Sequence, residues 1–207
     1  MPLNLTADQQ DALCEIVNIG VVRAAASLSD LIGSRILLTV PSVTLYDVCD
    51  LRNSDLFRSE DLSTAVVQQF HGVISGRAVL LFSQASGRKL GQVLGGLDTL
   101  PDGSDIDMCG ILTEVGNILL NAVLGALANT ICAPLTYSVP KCSGERMQCE
   151  LLMDSLASET SNHAAALVTS TEFRVAERSI SGSLLTVFEL GSIERVIAAL
   201  DSLIVLA

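Results

Sequence analysis

The sequence predicts an α/β domain of the α+β type. Two long helices pack on a six-stranded, largely antiparallel sheet, built as two repeats with pseudo-two-fold symmetry. Two observations carry this expectation. The couple Glu15 and Asn18 in DALCEIVNIG returns as Glu114 and Asn117 in GILTEVGNIL, 99 positions on, and in each half 22 residues separate the Asn from a proline, Pro41 or Pro140. Later, SGRAVLLF (75–82) returns as SGSLLTVF (181–188), so that Ser75, Gly76 and Phe82 fall on Ser181, Gly182 and Phe188. Looking for such self-similarity first guards against misreading the whole fold.

Each half reads as the same series of elements. Thr6 or Asp8 caps a long helix ending near Gly33, and Ser104 or Asp105 caps a second one running to about Ile131. A strand follows in each half, RILLTVPSVTLYDV (35–48) and PLTYSVPKCSGERM (134–147). Next come paired apolar runs with a tight turn between them: STAVVQQFHGVI with GRAVLLFS, then HAAALVTSTEFRV with GSLLTVFEL. Helices close the halves at about 84–95 and 192–204. Three strands with an unpaired edge make a weak unit alone. Residues 1–207 are therefore expected to form a single domain of two repeats, about 6–97 and about 104–207, joined by LDTLPDGSD (97–105).

Composition narrows the function classes. Hydrophobic residues make up 49% and charged residues 17%, a balance that buries a core and rules out a disordered chain. With aromatics at 3% and no Trp, that core is built from Leu, Val, Ile and Ala. The net charge of −11 repels phosphate backbones and anionic lipid, so neither nucleic acid nor a membrane surface is expected as a partner. No apolar run reaches the ~18 residues of a membrane span, and no secretory signal opens the chain, so a cytoplasmic protein is expected. The six cysteines show no CxxC spacing, and His71 and His163 stand apart from them. Cys14, Cys109 and Cys132 read as small buried thiols of apolar helical stretches, with no metal site and no disulfide framework expected.

The acid and the amide are the residues a core would not choose. At about 100° per residue, Asp11, Glu15 and Asn18 fall within roughly 60° of helical arc. Leu13, Ile16, Val17, Ala24, Leu28 and Leu31 cluster on the opposite side. Glu114, Asn117 and Asn121 align likewise on the second helix, away from Leu112, Ile118 and Leu119. Both couples are expected to point outward. Asn in a helix interior is disfavoured by a few tenths of a kcal/mol against Ala. A solvated polar face explains one such couple; two copies in register ask for chemistry. A carboxamide cannot act as a general base, but it can orient a water, as amide side chains do in phosphoryl hydrolysis. The acid beside it can hold a cation of the partner.

These residues resemble the signature of the CheC family of chemotaxis phosphatases, within the CheC/CheX/FliY group: Asp or Ser, Glu four residues on, Asn three further, and Pro after 22 more. Asp11, Glu15, Asn18 and Pro41 match it fully. Glu114, Asn117 and Pro140 match it too, with Gly110 at the Asp/Ser position. The resemblance covers nearly the whole chain. It implies a phosphatase of CheY-type phosphorylated response regulators, with Asn18 and Asn117 orienting water onto the aspartyl phosphate. It also implies that Glu15 and Glu114 pair with a regulator lysine, with Asp11 auxiliary. By alignment on its helix face Asn121 is a second auxiliary candidate. No cofactor of its own is implied, since the Mg²⁺ is held by the regulator. Many members also bind CheD, a receptor-modifying deamidase, which makes CheD a further candidate partner. The rival expectation is a non-catalytic interaction module like FliM of the flagellar switch, which shares the fold without the complete motif.

Overall fold

The computed structural model describes residues 5–33, 35–47, 62–94, 108–143, 165–175, 178–189 and 191–206. Helix α1 (Ala7–Ile32) opens with a capping box. Thr6 Oγ1 accepts from the Gln9 backbone N–H, and the Gln9 side chain accepts from the Thr6 N–H. Gly33 ends it in the left-handed region that glycine adopts without penalty. The chain continues through β1 (Ile36–Asp47), β2 (Leu62–Gly72), β3 (Gly76–Ser83), α2 (Gln84–Leu94) and α3 (Met108–Thr130). It closes with β4 (Leu135–Tyr137), β5 (Lys141–Cys142), β6 (Ala165–Val175), β7 (Arg178–Phe188) and α4 (Ser192–Leu206). Most predicted elements are found close to their expected limits, but β7 begins at Arg178, four residues before the expected 182, so that Arg178–Ser181 extend the strand instead of forming the turn. Ser104, Asp105 and the join at 97–105 lie outside the described residues.

The sheet runs β1-β6-β7-β3-β2-β4, with β5 also paired to β2, and every pairing is antiparallel. Among the described residues it has seven strands where six were expected. The expected strand 134–147 is split between β4 and β5, and 144–147 lie outside the described residues. Ser138 still donates its N–H to the Gln69 carbonyl at 2.9 Å, but Val139 and Pro140 lie outside the ladder. Pro41 does the same in β1, where the register against β6 shifts between Thr39 and Ser42. Proline offers no N–H to a ladder, so a proline in a strand marks a break or a bulge. The proline of the motif thus interrupts strand pairing in both halves.

Helices α1 and α3 pack on each other and share one apolar cluster with the strands. Leu13, Val17, Ala24 and Leu28 of α1 meet Leu112, Leu119, Val123 and Leu127 of α3, over Val66, Phe70, Leu80 and Phe82 of the sheet. Phe70 and Phe188 stack edge to face at 5.9 Å. Leu31, expected to be buried, is 58% exposed. Periodicity gives it the direction of the core, but in the last turn of α1 no neighbour covers it.

The helices cross at Gly20. A Cβ there would stand 2.6 Å from the Val123 Cα and 3.0 Å from the Ala122 carbonyl oxygen. Backbone cannot rotate aside, so any side chain at this position separates the helices. Gly125, in α3, has nothing within 4 Å of a Cβ position. Gly20→Ala should therefore lower stability by about 1–3 kcal/mol through overpacking, despite the better helix propensity of Ala. Gly125→Ala should raise it by roughly 0.5–1 kcal/mol. Paired thermal melts check the opposite signs.

Candidate functional site

Burial sorts the motif residues by depth. On α1, Asp11 and Glu15 are exposed and Asn18 is half-buried, while Leu13, Ile16 and Val17 between them are buried. On α3, Glu114 is exposed and Asn117 and Asn121 are half-buried, flanked by buried Leu112, Val115, Leu119 and Leu120. Each acid stands in solvent with its amide one step inward. Gly116 lets α3 sit this close to the sheet, since a Cβ would meet Val66 Cγ1 at 2.5 Å. Gly110, at the position of Asp11, is exposed and carries no side-chain donor or acceptor.

The α3 couple is tied into a hydrogen-bonded chain. Asn121 Nδ2 donates to Asn117 Oδ1 at 2.8 Å, and Gln68 Nε2 of β2 donates to Asn121 Oδ1 at 2.9 Å and to the Ser138 carbonyl at 2.9 Å. Gln68 is 1% exposed, and among the described residues its Oε1 has no partner. An unmet buried acceptor costs roughly 1–3 kcal/mol. Asn117, Asn121, Gln68, Glu114, Tyr137 and Pro140 are among the residues lining a hollow of about 350 Å³. Burial raises the pKa of the Tyr137 hydroxyl at the rim above its ordinary value. The α1 couple is held more loosely. Among the described residues Asn18 Nδ2 reaches only the Cys14 Sγ, at 3.8 Å, and thiol sulfur is a weak acceptor.

Sequence reasoning missed several contributors. Gln68 reads as an ordinary polar position of a strand, and only the fold brings it under α3. Val22 lies on the stripe of Asp11, Glu15 and Asn18, four residues beyond the amide, and is 62% exposed; Ile19 beside it is also exposed. The spacing could have found Val22. Tyr137 and the exposed Val139 come from the broken strand, whose path no local pattern reveals.

Two cysteine expectations are corrected. Cys109, in the first turn of α3, forms a disulfide with Cys142 of β5. Their sequence separation of 33 carries no spacing signal, and the pairing follows from the first turn of α3 lying against β5. Cys132 is exposed, because it sits just past the end of α3 in a left-handed conformation (φ 51°). Among the described residues no three His, Cys, Asp or Glu gather as metal ligands would. Residues Ala7–Leu31 and Cys109–Thr130 are long and apolar enough to cross a membrane by length and composition, which the run-length reading did not anticipate. The most apolar window of each is 44% and 50% buried within the fold.

A model of the CheC-like family matches residues 9–45, the segment that holds Asp11, Glu15, Asn18 and Pro41. The CheY-P phosphatase CheC of Bacillus subtilis (strain 168) is 27% identical over 203 residues, covering 94% of this chain and 95% of that protein. Among solved structures, Thermotoga maritima FliY superposes with a TM-score of 0.73 at 15% identity, over 97% of this chain and 99% of that one. The FliM middle domain of H. pylori superposes at 0.62 and 11% identity, over 94% and 99%. At these identities the two structures speak for the fold alone. The sequence comparisons bear out the resemblance that the motif suggested.

Proposed function

We propose that this CheC-like chain is a phosphatase of CheY-type phosphorylated response regulators. One observation carries the reading: both acid–amide couples stand on outward helix faces, with the acid in solvent and the amide set into the surface beside it. Such a face can enter a neighbour's pocket without unpacking its own core. Its relative from Bacillus subtilis, named as a CheY-P phosphatase, supports the substrate class.

In this reading the helix docks over the regulator's phosphoaspartate. Glu15 or Glu114 engages a regulator lysine, and Asn18 or Asn117 orients a water in line with the phosphorus. Water attacks phosphorus, and the bond to the aspartyl oxygen breaks. The electron pair returns to the aspartate carboxylate, and the water's proton ends on inorganic phosphate. The carboxamide takes no proton; it supplies position, which is most of what phosphoryl transfer asks of a protein. Mg²⁺, held by the regulator, supplies charge neutralisation there.

We read the chain as one domain of two repeats. Reversing the strand order exchanges β1 with the β4–β5 edge, β6 with β2, and β7 with β3, as a two-fold relation would. Two sites per chain follow, in a cytoplasmic protein whose partner is another protein.

The test is loss of radiolabel from a phosphorylated CheY-type regulator. The chain should accelerate it, and Asn18→Ala with Asn117→Ala should remove the acceleration, roughly 10²-fold or more. Binding without acceleration would instead establish a FliM-like interaction module. Glu15→Gln with Glu114→Gln should raise KM for the regulator more than it lowers kcat. It should also flatten the salt dependence of kcat/KM, since exposed charge pairs are screened. An unchanged salt slope would count against the lysine contact.

A further inference from the structure

We propose that Gln68 is a positioning residue which, through Asn121, fixes the carboxamide of Asn117 in one orientation and makes the α3 couple the more active of the two. The inference rests on the phosphatase reading above and says how one of its sites is set.

The orientation follows from a single backbone group. The Ser138 carbonyl can only accept, so the Gln68 atom 2.9 Å away is its amide nitrogen. That nitrogen also meets Asn121, whose facing atom must then be Oδ1. Asn121 therefore turns its Nδ2 to Asn117, and the Asn117 atom that receives it is Oδ1. Three amides, each otherwise free to turn over, take one arrangement. Asn117 keeps its Nδ2 and the second lone pair of Oδ1 for a water and a phosphoryl oxygen at the hollow it lines. Accepting a bond from Asn121 also polarises the amide and strengthens its N–H as a donor.

A second observation points the same way. Gln68 is buried with its Oε1 unpartnered among the described residues. Turning Gln68 over would set that oxygen against the Ser138 carbonyl, a worse arrangement. A buried acceptor left unmet in a native fold calls for an explanation, and the hold on Asn117 supplies one.

The first half lacks this device. Under the repeat, the position of Asn121 is taken by Val22, 99 residues earlier. Gln68 pairs with Ala78 and Thr169 pairs with Leu184, 106 positions after Ala78, so Thr169 stands where Gln68 does. Neither valine nor a short hydroxyl side chain can rebuild the chain of amides. Asn18 also turns its nitrogen to Cys14 Sγ, one turn back along α1, so that its carbonyl end and not its nitrogen is left for a partner.

The experiment uses full-length chains carrying one working couple. In Asn18→Ala, where only the α3 couple remains, Gln68→Met should lower kcat on the order of tenfold with KM for the regulator unchanged. Asn121→Val should do the same, and the two together should cost no more than either. In Asn117→Ala, where only the α1 couple remains, Gln68→Met should leave the rate alone, which also reports that the variant folds. The α3-only chain should be the faster of the two parents. Equal loss in both backgrounds, a change in KM alone, or a faster α1-only chain would overturn the proposal. Side-chain amide NMR gives a readout independent of turnover: the NH₂ protons of Asn121 should move in Gln68→Met. Unmoved resonances would overturn the hold on Asn117. Parents without phosphatase activity would overturn the functional reading and the ranking of couples, while the spectra still decide the orientation.

Discussion

Everything outward on this molecule depends on how closely α1 and α3 approach one another. At Gly20 the helices come within the space of a single missing Cβ, so their apolar stripes seal against each other and the sheet together. With those stripes committed, helical geometry leaves only one place for residues 100° to 180° away from them. Asp11, Glu15 and Asn18 on one helix, and Glu114, Asn117 and Asn121 on the other, are displayed because the opposite faces are taken. Interiors are packed to near-crystalline density, which makes such a display rigid.

Much of this was legible in the chain. Periodicity of 3.6 found both long helices, Thr6 as one of two candidate caps and the glycine at 33 marked the ends of α1, and the strand GRAVLLFS was delimited by its own turn residues. The exposure of both acids also followed, because spacing within one helix is a local property; that each amide would lie half-buried did not. What stayed hidden is non-local. Cys109 meets Cys142, and Gln68 meets Asn121, only because β2 and β5 lie beside α3. No spacing rule ties residues of different elements together. The seventh strand was missed for a subtler reason: the same proline produces a shift of register in β1 and an outright gap between β4 and β5. Leu31 shows the limit of periodicity, which gives a direction but not a neighbour.

A motif that occurs twice in the chain can differ in setting without losing a residue of its core signature. Glu, Asn and Pro recur in both, yet their settings differ. On α3 the station after the amide holds Asn121, which reaches back to Asn117 and down to Gln68. On α1 the same station holds exposed Val22, beside exposed Ile19. One face therefore surrounds its amide with hydrogen bonds and a hollow, the other with an apolar shoulder. The first arrangement limits how the carboxamide can turn; the second adds surface that a partner could cover.

Depth is the physical thread between these settings and the proposed chemistry. An ion in full solvent remains hydrated and mobile, and its attraction for an opposite charge is felt over about a Debye length, which suits first contact with a partner. A neutral amide has no such reach, and its worth lies in the angle at which it meets a reacting water. Angle requires support from behind, and support requires partial burial with satisfied partners. The half-buried amide and the exposed acid three residues before it thus divide capture from alignment along a single helix face. Exchanging the two residues would place a charge where it must be desolvated and an amide where nothing could hold it. That order, Glu outermost and Asn behind it, is the one both helices carry.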